Sequence, residues 1–444
     1  MSGLDNCMKK LIVILVSIAS CVAVWAAPRT VVVLSDLHVV VPNKAASMTI
    51  GAGERKMLKH SALILETVVD SIIARHDGSS VLVTGDLTDR GDRDSHNYVA
   101  AQLKRLQDAG HQCYVIPGNH DCLGDVSASD FATIYAGFGY GNELRRDEYS
   151  LSYVTDLLPG VTLLAIDSNG DSASNIAWAA GEAIEAGKRG NKAVAMMHHH
   201  LVPHFIKEEQ VLPTSVVDCS DAARQQLIDA GVHLVLTGHT HIHDAAVAYN
   251  EVHSDSLIEM CTGALAGYPL PYRVLEIVDG QVHATTRYVT AVKGEDNMLQ
   301  LSRERIEQSV QELVEARGRK LWGSIEGKVA QHPLASRFLA VEPTWENIEP
   351  LLKGLKSDVQ KAYLVVSEGN EPHNDVSRLI KENLREEIMS VIRGIVKPEY
   401  HEAVVEMIMP EVETRLAPII DAALGDLNPS STVPVDDCVL TIKL

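Results

Sequence analysis

No two cysteines of the chain are spaced Cys-x-x-Cys, so a zinc-thiolate site has no support. Cations are also scarce: 39 Lys and Arg stand against 59 Asp and Glu, a net charge of −20. Sequence-independent binding of a nucleic-acid duplex needs a basic face to displace counterions, and it is not expected here. Aromatic residues reach only 5%, but hydrophobic residues make up 46% and charged residues 22%. That balance is ordinary for a globular enzyme and unlike a disordered chain. Repeats and low-complexity segments are missing, and NPSSTVP at 428–434 reads as a loop. At 444 residues the length suggests two or three domains.

What is present begins at the N-terminus. Lys9 and Lys10 precede an apolar run over 11–24, and VWAAP then places small residues at Ala26 and Ala27. Charge, then apolar, then small is the order of a secretory signal peptide, and the run is short for a membrane span. Residues 1–27 are read as that leader, and the protein as exported to a periplasm or the extracellular space. IASC, ending at Cys21, offers lipidation as the lesser alternative, so membrane contact is expected only through the leader or such a lipid. Removing the leader leaves Cys113, Cys122, Cys219, Cys261 and Cys438. That odd number implies a free thiol or an intermolecular bridge, and each cysteine is expected to act as a small buried apolar residue.

From 30 to 292 short β-rich runs alternate with amphipathic stretches. Runs at 30–34, 81–84, 113–116, 161–166, 193–197 and 232–237 read as buried strands. Helical spacing covers 58–75, 95–109 and 222–230, which makes this part an α/β domain with buried sheet. Beyond Gly294 the spacing is helical over 299–321, 348–366, 376–396 and 398–424, with Pro398 where a helix can begin. The domains expected are therefore 28–294 and a mainly α-helical 295–444, closed by the strand-like CVLTIKL.

Several strands end in residues that bind metals. SDLH brings Asp36 and His38, TGDLTDRG brings Asp86, and PGNHD brings Asn119, His120 and Asp121. HHH spans 198–200, and TGHTH brings His239 and His241. Strand ends of an α/β sheet share one crevice. Asp36-x-His38 and His239-x-His241 have the spacing that aims two side chains the same way from extended backbone. The glycines of TGD, PGN and TGH permit tight turns and close approach. Carboxylate, amide and imidazole donors without thiolate suit Mn, Fe, Zn or Co.

These five blocks resemble those of the calcineurin-like metallophosphoesterase superfamily, and the leader and the GNHD block draw the resemblance toward secreted bacterial enzymes of the cyclic-nucleotide phosphodiesterase branch. The resemblance implies a two-sheet β-sandwich flanked by helices, with two divalent metal ions at the strand ends. Asp36, His38 and His241 would hold one ion, and Asn119, His239 and His198 the other, with Asp86 bridging. His199 is the alternative to His198, because the register of the histidine run is open by one residue. A metal-bound hydroxide would attack phosphate mono- or diesters, small molecules or nucleotides. His120 would protonate the leaving group, and Asp121 would orient its imidazole. Arg90 is expected on the surface or in a salt bridge, with phosphate binding as its alternative role. His204 is weighed as a rim residue, and 167–171 as site lining or a plain turn.

A non-catalytic interaction platform with the helical region as binding arm is the competing function. The helical region is expected to pack on the catalytic domain, partly covering the site, or to form a homodimer contact.

Overall fold

The structure, a computed structural model, describes residues 29–75, 80–204, 208, 212, 214–278, 280–330, 335–342, 344–369, 376–415 and 439–444. The expected leader at 1–27, Cys438, the loop at 428–434 and the end of the last expected helix, 416–424, lie outside the described residues.

Strands in chain order are β1 (Arg29–Leu34), β2 (Ser80–Val83), β3 (Gln112–Val115), β4 (Arg145–Arg146), β5 (Tyr153–Leu158), β6 (Val161–Ala165) and β7 (Lys192–Met196). They continue as β8 (Val232–Thr237), β9 (Asp244–Tyr249), β10 (Ser256–Cys261), β11 (Pro271–Val278), β12 (Gln281–Tyr288) and β13 (Val439–Lys443). Two mixed sheets result, in the orders β13-β12-β11-β1-β2-β3 and β4-β5-β6-β7-β8-β10-β9. β1, β2 and β3 run parallel in the first. β6, β7, β8 and β10 do so in the second.

Alternation of side chains along each strand explains the layering. In β6, Leu163 and Ala165 face the core between the sheets, where they join Val194, Met196, Leu234 and Leu236. Leu164 beside them, with Ala195 and Val235, faces the other way. That outer face is covered by Ile176, Ala179 and Ala183 of a helix spanning Ser172–Lys188 and by Leu227 of one spanning Ser220–Asp229. The first sheet is covered in turn by helices Ser61–Arg75 and Arg93–Asp108, through Leu65, Val69, Val99 and Leu103. The central strands β2, β7 and β8 are thus covered on both faces, which is why they read as unbroken apolar runs. The helix Arg93–Asp108 begins two residues before the expected 95 because Asp92 caps it, accepting a hydrogen bond from the Ser95 amide.

Beyond the sheets, α1 (Met298–Ala330), α2 (Lys353–Glu368), α3 (Val376–Ile395) and α4 (His401–Arg415) form the helical region. Ile306 and Val310 of α1 and Leu364 of α2 enclose Tyr268 of the sandwich in one apolar cluster. The closing segment departs from the expected boundary at 295. β13 pairs antiparallel with β12, matching Val282 to Ile442 and Ala284 to Leu440, so it belongs to the first sheet. The helical region is therefore an insertion between two adjacent strands. Among the described residues no helix is long and apolar enough to cross a membrane. The described cysteines are free, and Cys122 is exposed rather than buried, because it sits in the turn after β3.

Candidate metal centre

β1, β2 and β3 end side by side, as do β7 and β8, and the segments that follow them meet. The Asp36 amide donates to the Gly85 carbonyl at 3.1 Å, the His38 amide to the Asp86 carbonyl at 2.9 Å, and the Gly238 amide to the His198 carbonyl at 3.1 Å. Backbone conformation here is unusual. Asp36, His38, Asp86, His239 and His241 all have positive φ, between 41° and 76°. Each such residue costs about 1–3 kcal/mol, so the fold must over-determine these positions. Glycine relieves the crowding where the segments touch. A Cβ on Gly85 would come within 2.5 Å of His198 Nδ1, and one on Gly118 would strike the Asp86 carboxylate and amide.

Side chains converge in two groups. In the first, His38 Nε2 and His241 Nε2 are 3.0 Å apart, and Asp36 Oδ1 lies 3.4 Å from His241 Nε2. In the second, His198 Nε2 is 3.1 Å from Asn119 Oδ1 and 3.2 Å from His239 Nδ1. Asp86 stands between them, its Oδ2 at 3.6 Å from His38 Nε2 and 3.4 Å from His198 Nε2. All seven residues read from the strand ends are thus brought together. His198, not His199, faces Asp86 and Asn119. His199 bonds Ser168 Oγ through Nδ1 at 2.8 Å, and its ring packs on His239 with centroids 4.3 Å apart.

The donor set fits cations. Asp36 Oδ1 is buried without a hydrogen-bond partner, yet it points at two imidazole nitrogens that already face each other. Burial drives His38 well below its ordinary pKa and His239 to about 3, which leaves these two as the neutral imidazoles that coordination requires. Burial would lower His198 too, but Asp86 and Asp36 raise it to about 9, so a cation bound there must displace its proton. Burial would also raise the Asp36 and Asp86 carboxyls, but His241 for Asp36 and His198 for Asp86 hold them below the usual range. Both are acceptors at neutral pH.

His120 borders the same cavity and is held differently from the expectation. Its Nδ1 donates to the Asp89 main-chain carbonyl at 2.6 Å. Asp121 does not orient it. That carboxylate is consumed by the amides of Leu87, Thr88 and Gly118, at 2.9–3.2 Å, and by the Thr88 hydroxyl. Its task is to pin the turn after β2 to the turn after β3.

Asp89, which sequence reasoning passes over, is buried among Lys56, His38 and Arg90. Its Oδ1 receives Lys56 Nζ at 2.6 Å and lies 3.6 Å from His38 Nδ1; its Oδ2 lies 3.5 Å from Arg90 Nε. Its position three residues after Asp86 was the available signal. Lys56 had none, since it comes from a loop far from any motif. Arg90 is 80% exposed and borders the cavity. His204 is buried away from the rim, between Asp244 and Glu259. Of 167–171, Ser168 does reach the site, bonding the His198 and His199 amides.

The two-sheet α/β sandwich thus gathers carboxylate, amide and imidazole donors able to hold metal ions at its strand ends. Residues 29–243, a little under half of the chain, match the calcineurin-like phosphoesterase family, and that match supports a metal-dependent phosphoesterase. No curated protein sequence matches the chain. Among solved structures it is similar to a dimetal phosphatase from Danio rerio, at 11% identity over 59% of this chain and 97% of that one, TM-score 0.45. It is also similar to a purple acid phosphatase from yellow lupin, at 13% identity over 59% of this chain and 52% of that one, TM-score 0.40. A 5′-nucleotidase precursor from Thermus thermophilus matches at 15% identity over 65% of this chain and 59% of that one, TM-score 0.35. The chain spans less than two thirds of the latter two.

Proposed function

We propose that the chain is an exported phosphohydrolase that uses a pair of divalent cations to cleave phosphate mono- or diesters, small molecules or nucleotides. The carrying observation is the Asp86 carboxylate set between two groups of donors. Asp36, His38 and His241 would hold one cation, Asn119, His198 and His239 the other, and Asp86 both. The donor chemistry favours Mn, Fe or Zn. When bound, such a pair activates water as the nucleophile and neutralises the phosphoryl oxygens.

The chain's own residues supply the proton. A carbonyl only accepts, so His120 Nδ1 carries a hydrogen and Nε2 is left as the atom that takes up and releases a proton. The side chain is 30% exposed and borders the cavity with His239 and His241. His120 Nε2 is thus placed to give its proton to a departing alkoxide. Export rests on the order of charged, apolar and small residues over 9–27.

The test is hydrolysis of p-nitrophenyl phosphate and bis(p-nitrophenyl) phosphate by the purified chain with added Mn. Metal-dependent turnover of at least one is expected, reduced about 10²–10⁴-fold by His120→Asn with metal content retained. No turnover of either ester by protein that demonstrably binds metal would overturn the reading.

A further inference from the structure

The helical insertion reaches the active-site cavity through one loop. Residues 51–56 form a wall of a cavity of about 450 Å³ whose floor includes Asp86, His120, His239 and His241. This loop is fastened from α1. The Gly53 amide donates to Glu312 Oε2 at 2.7 Å, Ser309 Oγ donates to the Gly53 carbonyl at 3.0 Å, and Arg305 Nη2 donates to the Gly51 carbonyl at 3.2 Å. On the other side the Met57 amide donates to the Ala266 carbonyl at 2.6 Å. The loop is thereby stretched between the insertion and the sandwich.

Two cations ride on this loop, and they differ. Lys56 is 11% exposed and committed to Asp89. Arg55 lies with its guanidinium over the ring of Tyr363 from α2, 5.5 Å from the centroid. An aromatic ring engages the face of a guanidinium and leaves the N–H donors around its edge for a planar anion. Glu54 is the carboxylate of this wall and lies 3.8 Å from Lys56.

We propose that Arg55 is a specificity-determining residue, oriented by the helical insertion, that binds a second anionic group on the substrate beyond the phosphate being cleaved. The preferred substrate class is then a phosphoester carrying an additional carboxylate or phosphate. This deepens the phosphohydrolase reading and rests on it for the scissile phosphate. Tyr363 and Glu312 are positioning residues, the first for the guanidinium and the second for the loop.

Glycerol 3-phosphate and 3-phosphoglycerate, alike in size but differing by one carboxylate, serve as probes on the full-length, Mn-supplied protein. The wild type is expected to favour 3-phosphoglycerate in kcat/KM, and Arg55→Ala to reduce that preference about tenfold, chiefly through KM. Tyr363→Leu should shift it in the same direction by less. Glu312→Ala should speed hydrogen exchange of the 51–56 amides, a readout independent of turnover. Equal effects of Arg55→Ala on both esters, or unchanged exchange in Glu312→Ala, would overturn the proposal. If the wild type turns over neither of these monoesters, the phosphohydrolase reading is decided separately by the two p-nitrophenyl esters. Titration calorimetry of the same two compounds then decides for Arg55, whose loss must weaken binding of 3-phosphoglycerate selectively.

Discussion

His198 and His199 adjoin in the chain but have different surroundings. One lies against Asp86 and Asn119, and the other is turned toward Ser168 and the face of His239. His198→Ala is therefore expected to drop bound metal from two equivalents to about one, and His199→Ala to keep both, as read by elemental analysis of dialysed protein. At this scale the residue types were legible because few side chains bind metals, and five strand ends each offered one or more. Roles that depend on hydrogen bonds across the fold were not. Asp121 adjoins His120 in sequence, yet its oxygens meet amides from 33 and 34 residues earlier, and His120 takes its orientation from the carbonyl of Asp89. Which acceptor a side chain finds is decided by how two turns dock.

Strands that carry the site were legible as elements because burial on both faces makes them continuous runs of Val, Leu and Ile. β9, with its three alanines, and β12, which alternates polar and apolar residues, carry a weaker version of that signal. The helix Ser172–Lys188 is rich in alanine and glycine and lacks a strong apolar stripe. The strand character of CVLTIKL was readable, but its partner was not, because pairing with β12 depends on where the insertion returns the chain. Ile442 and Leu444 are 4% and 6% exposed and join the main core. Ile442→Ala is expected to cost ~2–4 kcal/mol in a denaturant titration. A loss under 0.5 kcal/mol would show that β13 is an ornament on the sheet edge.

Stability of the whole molecule should carry the mark of a buried ion cluster behind the site. His204 Nδ1 is 2.8 Å from Asp244 Oδ2, and its Nε2 is 3.2 Å from Glu259 Oε1. Both ring nitrogens face carboxylates, so the ring is doubly protonated. Burial alone would lower its pKa, but Asp244 and Glu259 raise it well above the ordinary value. Burial likewise would raise Glu259, but His204 and Thr237 bring it below its ordinary value. The His204 contribution is complete below the unfolded histidine pKa of ~6.5 and fades as pH rises toward the folded value. The Glu259 contribution is complete above the unfolded pKa of ~4.3 and fades as pH falls toward the lowered one. Together they are fullest between those limits. His204→Gln should therefore lower stability most near pH 5.5, by ~3–5 kcal/mol, and the gap from the wild type should narrow above pH 6.5 in melting curves. A gap independent of pH would mean that packing, not charge, sets the cost.

The pairing of β13 with β12 also sets an order of events. His283 and Thr441 bond across that pair although 158 residues separate them, and contacts so distant in the chain are slow to form. During synthesis β12 emerges first and waits, with one edge open, while the helices that follow it are made. An open edge is a template for pairing with another chain. The helices therefore have a second duty: by folding promptly they shorten the interval in which a nascent molecule can capture its neighbour, so slow-folding variants of the insertion should be lost to aggregation before they are lost to inactivity.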